Sequence, residues 1–105
     1  MPTNEELYSH SEQLKDEGKL EEAVAVLEQL LAQDPNYALA HSALAVICGR
    51  LKRHEEAIRH GLKVCELEPN EAFSFTAMSV TYQRAGRIPE AEDAMAHARE
   101  LQGRH

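Results

Sequence analysis

The sequence predicts an all-α protein built from three stacked pairs of helices, and three observations carry that prediction. The first is a repeat: Ala23, Ala57 and Ala91 stand 34 residues apart, and so do Pro35 and Pro69. The second is the 3.6-residue spacing of apolar side chains within each unit, which is typical of amphipathic helices. The third is the placement of glycine and proline between these segments, where they end helices.

The chain of 105 residues divides into units 4–37, 38–71 and 72–105, which we expect to form one domain over residues 1–105. An isolated pair of antiparallel helices leaves its apolar stripe exposed, and stacking the pairs on one another buries it. The sequence contains no linker, no low-complexity tract and no strand pattern. The predicted architecture is therefore an α-solenoid of three helix-turn-helix units.

Local signals place the helices of the first unit. Thr3 and Glu6 have the spacing of a capping box, which begins the first helix. Gly18 tolerates the left-handed conformation that ends a helix, so the first helix stops there. The second helix is predicted from about residue 20 to residue 33, because Pro35 cannot continue a helix.

The second and third units repeat these signals. Asn36 and Asn70 follow prolines and are predicted to cap the third and fifth helices. Residues 52–53 make the turn of the second unit, Gly86 ends the fifth helix, and Pro89 fits the first turn of the last helix. Small side chains recur at matched places, where they let paired backbones approach closely. They are Ser11, Ala45 and Ser79 in the first helices and Ala23, Ala57 and Ala91 in the second helices.

The composition limits the classes of function and partner. A net charge of −7 argues against nucleic acid and anionic membranes, because phosphate binding is driven by Lys and Arg. The chain starts at Met1 with no signal peptide or long apolar run, so we expect a soluble, cytoplasmic protein without membrane insertion. Cys48 and Cys65 form no CxxC pair and are predicted to be buried thiols on different helices.

The sequence shows no pattern that is typical of a catalytic or metal-binding site. It contains no nucleophile motif and no phosphate loop, and it predicts no enzymatic activity and no cofactor. The six histidines lack the spacing of a metal site. His54 and His60 are six residues apart and are predicted on different helix faces, while His10 and His41 are interpreted as partly buried packing residues.

These features resemble the tetratricopeptide repeat family. The 34-residue period, the small-residue positions and the closing Pro35 and Pro69 match that family in three consecutive copies. Its bulky positions are matched by Leu7, Leu14, Leu27, Leu44, Phe75, Met78, Tyr82 and Met95. Among the departures, His10 and His41 stand where large apolar residues are usual. Gly61 replaces another large residue, and we expect it to leave room for Phe75 or Met78.

The resemblance implies a right-handed superhelix whose concave groove is lined by the first helix of each pair, in a non-catalytic protein-binding module. By the family pattern, the groove residues are Tyr8, Glu12, Leu39, Ser42, Val46, Arg50, Phe73, Thr76, Val80 and Arg84. Leu39 and Val46, like Phe73 and Val80, are seven apart and share a helix face. With Tyr8 they are expected to form an apolar floor that binds a peptide or an amphipathic helix. The alternative is that some of these side chains pack within the solenoid.

Charges flank this predicted groove, with acidic residues at one end and Arg50 and Arg84 at the other. One family subtype holds the acidic tails of heat-shock chaperones in a carboxylate clamp of Lys, Asn or Arg side chains. The clamp positions here carry Tyr8, Glu12, Ala43, Phe73 and Ala77. The sequence therefore argues against a chaperone tail as the partner.

Self-assembly is the second function that the sequence allows. The third unit reaches Gly103 without a closing proline, and no solvating helix follows it, so we expect no clear C-terminal capping helix and an uncapped last face. The predicted self-association face consists of Ala91, Ala94, Met95, Ala98 and Leu101. Such a face would let the repeats form a homo-oligomer, which is compatible with groove binding.

Overall fold

The computed structural model describes residues 1–103, which form six α-helices joined by short turns, with no β-strand in that range. The helices are α1 (Asn4–Asp16), α2 (Leu20–Gln33), α3 (Ala38–Arg50), α4 (His54–Leu67), α5 (Ala72–Arg84) and α6 (Ile88–Gln102). The predicted all-α fold is confirmed. Arg104 and His105, which end the third predicted unit, lie outside the described residues.

The helices pack as three pairs, α1 on α2, α3 on α4 and α5 on α6. Successive pairs meet through α2 against α3 and through α4 against α5. The first helices also touch one another, α1 with α3 and α3 with α5, so they form one layer of the stack. This layer is where a groove between first helices can form. The longest helix has 15 residues, and none in residues 1–103 combines the length and apolar character needed to cross a bilayer.

The capping box that begins α1 is present as predicted. The backbone N–H of Glu6 donates to the Thr3 hydroxyl at 3.1 Å, and the backbone N–H of Thr3 donates to the Glu6 carboxylate at 2.9 Å. Hydrogen bonding of the Glu6 carboxylate by the Thr3 backbone N–H, and then by the Thr3 side chain, lowers the pKa of the Glu6 carboxyl because it favours the charged form.

The predicted caps at Asn36 and Asn70 are wrong by one residue. Helices α3 and α5 begin after Tyr37 and Glu71, and neither side chain makes a capping hydrogen bond. Each asparagine lies instead inside a backbone turn, which closes when the N–H of Tyr37 or Glu71 donates to a carbonyl three residues earlier at 3.2 Å. The tight turn that follows each second helix displaces the helix start by one position.

Three equivalent turns join the helices within each pair. Gly18, Lys52 and Gly86 stand 34 residues apart, and all three have a positive φ, of 79°, 62° and 78°. In each turn the following residue donates its N–H back to the helix end, as Arg53 does to the Cys48 carbonyl at 2.8 Å. Lys52 adopts a left-handed conformation that costs an L-residue about 1 kcal/mol. The second turn therefore keeps the backbone conformation of the other two turns, although it has no glycine.

The small residues predicted to allow close helix approach are all buried; they are Ser11, Ala23, Ala45, Ala57, Ser79 and Ala91. One large apolar cluster fills α1, α2, α3 and the start of α4, with Leu27, Leu30 and Leu44 at its centre. A smaller cluster joins α4, α5 and α6 around Ile58, Cys65, Met78 and Ala94. The two ends of the stack are therefore packed to different extents.

Two ion pairs link successive helix pairs at equivalent positions. Arg53 contacts Glu21 at 2.6 Å, and Arg87 contacts Glu55 in the same arrangement one repeat further along. Both pairs are largely exposed, so each contributes at most about 1 kcal/mol. Because the two ion pairs occupy equivalent positions, successive helix pairs are aligned in the same way at both junctions.

Candidate functional site

A cavity of about 430 Å³ lies between α3 and α5, with α4 behind it. Its walls are formed by α3 and α5, which are the first helices of the second and third pairs. The cavity is therefore a groove between first helices. The lining side chains and backbone belong to Ala38, Leu39, Ser42, Ala45, Val46, Gly61, Val64, Glu68, Phe73, Ser74, Thr76, Ala77, Met78, Val80, Thr81 and Arg84.

Exposed apolar side chains concentrate in this cavity. Leu39, Val46, Phe73 and Val80 line it and are 55%, 42%, 76% and 40% exposed. Only three other large apolar residues in residues 1–103 are as exposed, Met1, Leu62 and Ile88. This exposed apolar strip makes the cavity the candidate binding site of the described residues.

Gly61 lines the cavity from α4 and lies against Met78 of α5. A Cβ atom at that position would lie 2.6 Å from the Met78 sulfur and 4.0 Å from the Ala45 Cβ. Met78 therefore occupies the space that a side chain at residue 61 would need, as the sequence predicted. Met78 is itself buried, so its thioether fills that space, and Gly61 lines the cavity without a side chain.

Arg84 stands at one end of the cavity and reaches across it toward α3. Its Nη1 and Cδ atoms lie 3.6 Å and 3.9 Å from where a Cβ of Gly49 would be. The guanidinium is thus held over a residue without a side chain, between two helix ends. Glu68 lines the opposite end of the cavity, next to the start of α5.

Seven of the ten predicted groove residues line the cavity: Leu39, Ser42, Val46, Phe73, Thr76, Val80 and Arg84. The other three do not. Tyr8 packs against Tyr37, with ring centroids 6.4 Å apart, and Glu12 pairs with Lys15 at 3.3 Å. Arg50 is exposed beyond the lining residues. The apolar floor is therefore formed by α3 and α5, without a contribution from α1.

Several lining residues were missed by the sequence analysis, among them Ala45, Val64 and Ala77. Alanine and valine at these places look like ordinary core residues. The sequence carries no signal that separates these lining residues from core residues.

The predicted self-association face is wrong as an exposed surface. Ala91, Ala94, Ala98 and Leu101 are buried, and only Met95 is half-buried. Their helix turns this face toward α5, where Ala94 joins the cluster around Met78. Small residues at this spacing serve close packing within the last helix pair, so they offer no surface to a second copy.

Two histidines form an unpredicted pair. The Nδ1 atoms of His41 and His60 are 2.9 Å apart, and His41 Nε2 lies 2.7 Å from the Pro35 carbonyl oxygen. Because that carbonyl can only accept, His41 Nε2 donates to it, and in the tautomer that leaves His41 Nδ1 without hydrogen, His60 Nδ1 donates to that nitrogen. Burial, with His41 and Arg59 adding to it, lowers the pKa of His60 from 6.5 to about 4.

The remaining histidines and the cysteines show no built site. His10 is exposed, which corrects its interpretation as a packing residue, whereas His41 is buried as expected. Within residues 1–103, no group of three or more His, Cys, Asp or Glu side chains is placed to hold a metal ion. Cys48 and Cys65 are free and buried on α3 and α4, and burial raises the pKa of both thiols.

Comparison with known proteins finds one sequence profile that matches part of the chain and several structures with the same fold. A sequence profile described as a TPR repeat matches residues 12–52. No curated protein shows significant sequence similarity to the chain. Among solved structures, MamA from Desulfovibrio magneticus RS-1 superposes with a TM-score of 0.84 at 22% identity, over 97% of this chain and 58% of that one. The chain thus spans less than two thirds of that protein's length.

Two further neighbours are smaller or differently assembled proteins. The second TPR of Spaghetti (RPAP3), bound to the HSP90 peptide SRMEEVD, has a TM-score of 0.84 at 19% identity, over 94% of this chain and 92% of that one. The Yersinia enterocolitica type III secretion translocator chaperone SycD, solved as an alternative dimer, has a TM-score of 0.84 at 22% identity, over 93% and 74%. The profile match shows a TPR repeat over residues 12–52, and these structural neighbours show that the chain as a whole has the same helical-repeat fold.

Proposed function

We propose that this protein is a non-catalytic protein-interaction module, which binds a peptide or an amphipathic helix in the groove between α3 and α5. The observation that carries the proposal is the concentration of Leu39, Val46, Phe73 and Val80 around one cavity. A partner that covers these side chains removes their apolar surface from water, which is the main driving force for such association.

The spacing of the floor residues suits a protein segment. Leu39 and Val46 are seven residues apart on α3, and Phe73 and Val80 are seven apart on α5, so each pair spans about 10 Å along its helix. A partner with apolar side chains at that separation can contact the floor residues of both α3 and α5. It can do so either as two turns of helix or as a short extended peptide.

The polar groups in the cavity support binding rather than catalysis. The Thr76 hydroxyl donates to the Ala72 carbonyl at 3.2 Å, and the Thr81 hydroxyl donates to the Ala77 carbonyl at 3.1 Å. Each hydroxyl is thus engaged by its own helix, and neither is paired with a basic group that would activate it as a nucleophile.

One structural neighbour, the RPAP3 repeat domain, is solved with an HSP90 peptide, so this fold does accept peptides. For the present chain we expect a different peptide. The positions that would need clamp cations carry Tyr8, Glu12, Ala43, Phe73 and Ala77. Tyr8 is packed and Phe73 is exposed and apolar, which favours a partner that presents apolar side chains in place of clustered carboxylates.

The proposal is tested by affinity capture from a lysate of the source cells, with quantitative mass spectrometry of wild type and two variants. Phe73→Asp places a charge in the apolar floor. Ile88→Asp is the matched control, because Ile88 is also an exposed apolar residue in the first turn of its helix but does not line the cavity.

We expect a partner that wild type and Ile88→Asp retain and Phe73→Asp loses at least tenfold, with unchanged helical circular dichroism in all three. Equal retention by all three proteins would contradict the groove as the binding surface. Recovery of the chain itself as the partner, equally with each variant, would instead support self-assembly through another surface, which light scattering would then check.

A further inference from the structure

We propose that the segment held in the groove carries a carboxylate just beyond its second apolar side chain, and that this carboxylate pairs with Arg84. The inference rests on the proposed function and adds to it the charge and direction of the partner. Three features of the groove carry it: an arginine without a partner, a backbone arrangement that positions it, and an acidic residue at the far end.

Arg84 has no carboxylate partner among the described residues. Lys15, Lys19, Arg53, Lys63 and Arg87 all form ion pairs in the same range. In a chain with 18 acidic and 11 basic side chains, an arginine that faces a binding cavity with no carboxylate in contact is available to a ligand. Arg50, one repeat earlier, is also unpaired in this range and exposed beside the same helix ends.

The position of Arg84 is prepared by Gly49. The Arg84 side chain crosses from the end of α5 to lie 3.6 Å from the missing Cβ of Gly49 on α3. A long side chain at residue 49 would compete for this place. The guanidinium is therefore directed over the mouth of the cavity, where its planar set of donors can hold a carboxylate with two hydrogen bonds.

The two ends of the groove differ in charge, which gives the partner a direction. Glu68 lines the end near Phe73, and Arg84 lies one helical turn beyond Val80 at the other end. A segment that seats its first apolar side chain near Phe73 and its second near Val80 reaches Arg84 about 6 Å further along. An acidic group is favoured there and disfavoured next to Glu68.

The equivalent position in the first repeat has the opposite sign. Asp16 stands 34 residues before Arg50 and 68 before Arg84, at the end of α1. An acidic partner is consequently directed to the groove between α3 and α5 and away from the face of α1. This charge reversal would not arise if these positions served only to complement the helix dipole, since a cation is favoured at the C-terminus of every helix.

The test is selection of a phage-displayed random dodecapeptide library on wild type, Phe73→Asp and Arg84→Glu, with Arg99→Glu as the matched control. Arg99 is an exposed arginine near the end of α6, outside the cavity and without an ion pair among the described residues. Recovered peptides are synthesised, and their affinities are measured by isothermal titration calorimetry against each protein.

We expect wild-type peptides with two apolar residues followed by Asp or Glu, whose affinity falls tenfold or more on Arg84→Glu and is unchanged on Arg99→Glu. Replacing that acidic residue by Lys should restore binding to Arg84→Glu. Peptides that need Phe73 but show no acidic preference, and bind Arg84→Glu as well as wild type, would overturn this inference and leave the groove proposal intact. The absence of any Phe73-dependent peptide would overturn both.

Discussion

The two junctions between successive helix pairs share one backbone register but differ in how they are filled. At the first junction, Leu27 is fully buried against α3, in a cluster with Leu30 and Leu44. The residue equivalent to Leu27 at the second junction, 34 positions later, is Gly61, and a cavity of about 430 Å³ lies beside it. Met78 fills the place of the missing side chain at the second junction, and the cavity lies beside this contact.

The groove-facing surfaces of α1 and α3 also differ, in the polarity of their side chains. The groove-facing positions of α1 carry Glu5, Tyr8 and Glu12, and the equivalent positions of α3 carry Leu39, Ser42 and Val46. Apolar exposure therefore begins at α3. The comparison teaches that repeats with the same backbone can differ in role, because side-chain volume and polarity decide how each junction is packed and which surface it presents.

The largest expected effect comes from truncating a buried side chain at the first junction. Leu27→Ala removes a side chain with no exposed surface, and we expect it to lower the free energy of unfolding by about 2–5 kcal/mol. Leu62→Ala, at a half-exposed position on α4, is the control and should cost less than about 1 kcal/mol. Urea unfolding followed by circular dichroism measures both, and equal losses would show that the burial of Leu27 does not stabilise the first junction.

The contact between Gly61 and Met78 at the second junction is tested by adding a side chain at residue 61. Gly61→Ala gains about 1 kcal/mol of helix propensity but drives its Cβ against the Met78 sulfur, and such overpacking costs about 1–3 kcal/mol. We expect a net loss of about 1 kcal/mol in the wild-type background and a gain of about 1 kcal/mol in a Met78→Ala background. The same unfolding measurement on the four proteins tests this, and an equal effect in both backgrounds would contradict the assigned role of Met78.

The turn of the second pair offers a smaller change. Lys52 holds the left-handed conformation that Gly18 and Gly86 hold in the other pairs, so Lys52→Gly should stabilise the protein by about 1 kcal/mol. Gly86→Lys is the reverse substitution and should destabilise it by a similar amount. Thermal unfolding distinguishes these outcomes, and a stability loss in Lys52→Gly would show that the lysine side chain contributes more than its backbone strain costs.

The smallest effect concerns pH. Folding lowers the pKa of His60 from 6.5 to about 4, so the unfolded chain takes up a proton in this interval that the folded chain does not. Its contribution to stability is present above pH 6.5 and is lost as the pH falls toward 4. The groups around it are His41 on α3 and Arg59 and Glu56 on α4, of which only Glu56 favours the charged ring.

His60→Gln keeps a hydrogen-bond donor and cannot titrate. We expect it to reduce the stability lost between pH 7 and pH 4.5 by about 1 kcal/mol, a figure that allows for solvent screening of a half-buried ring. His10→Gln, at an exposed position, should leave that loss unchanged. Urea unfolding at the two pH values provides the measurement, and equal pH dependence in wild type and His60→Gln would exclude His60 as its source.

Much of the fold could be predicted because its signals are local. Gly18 and Pro35 bracket α2, and the predicted range 20–33 agrees with the observed helix Leu20–Gln33. The capping box at Thr3 was also readable, since both partners lie within one turn. The N-caps were misplaced because a turn closed by backbone hydrogen bonds, which leaves little sequence signature, occupies the positions of Asn36 and Asn70.

The site was predictable only in part, because it depends on which helix faces meet. The seven-residue spacing on α3 and α5 pointed to the exposed strip, but nothing in the sequence of α1 showed that Tyr8 would pack against Tyr37. The alanines of α6 were assigned to the surface because periodicity defines a face without saying what covers it. The His41–His60 pair joins two helices across 19 residues, a separation with no periodic signal.

The central claim is that the groove between α3 and α5, and not the face of α1, receives the partner. Titration of the ¹⁵N-labelled protein with the tightest selected peptide, followed by backbone amide chemical shifts, tests it most directly. The account predicts the largest shifts at Leu39, Val46, Phe73, Val80 and Arg84, with small shifts at Glu5, Tyr8 and Glu12. Shifts concentrated on α1, or on α2 and α6, would contradict it.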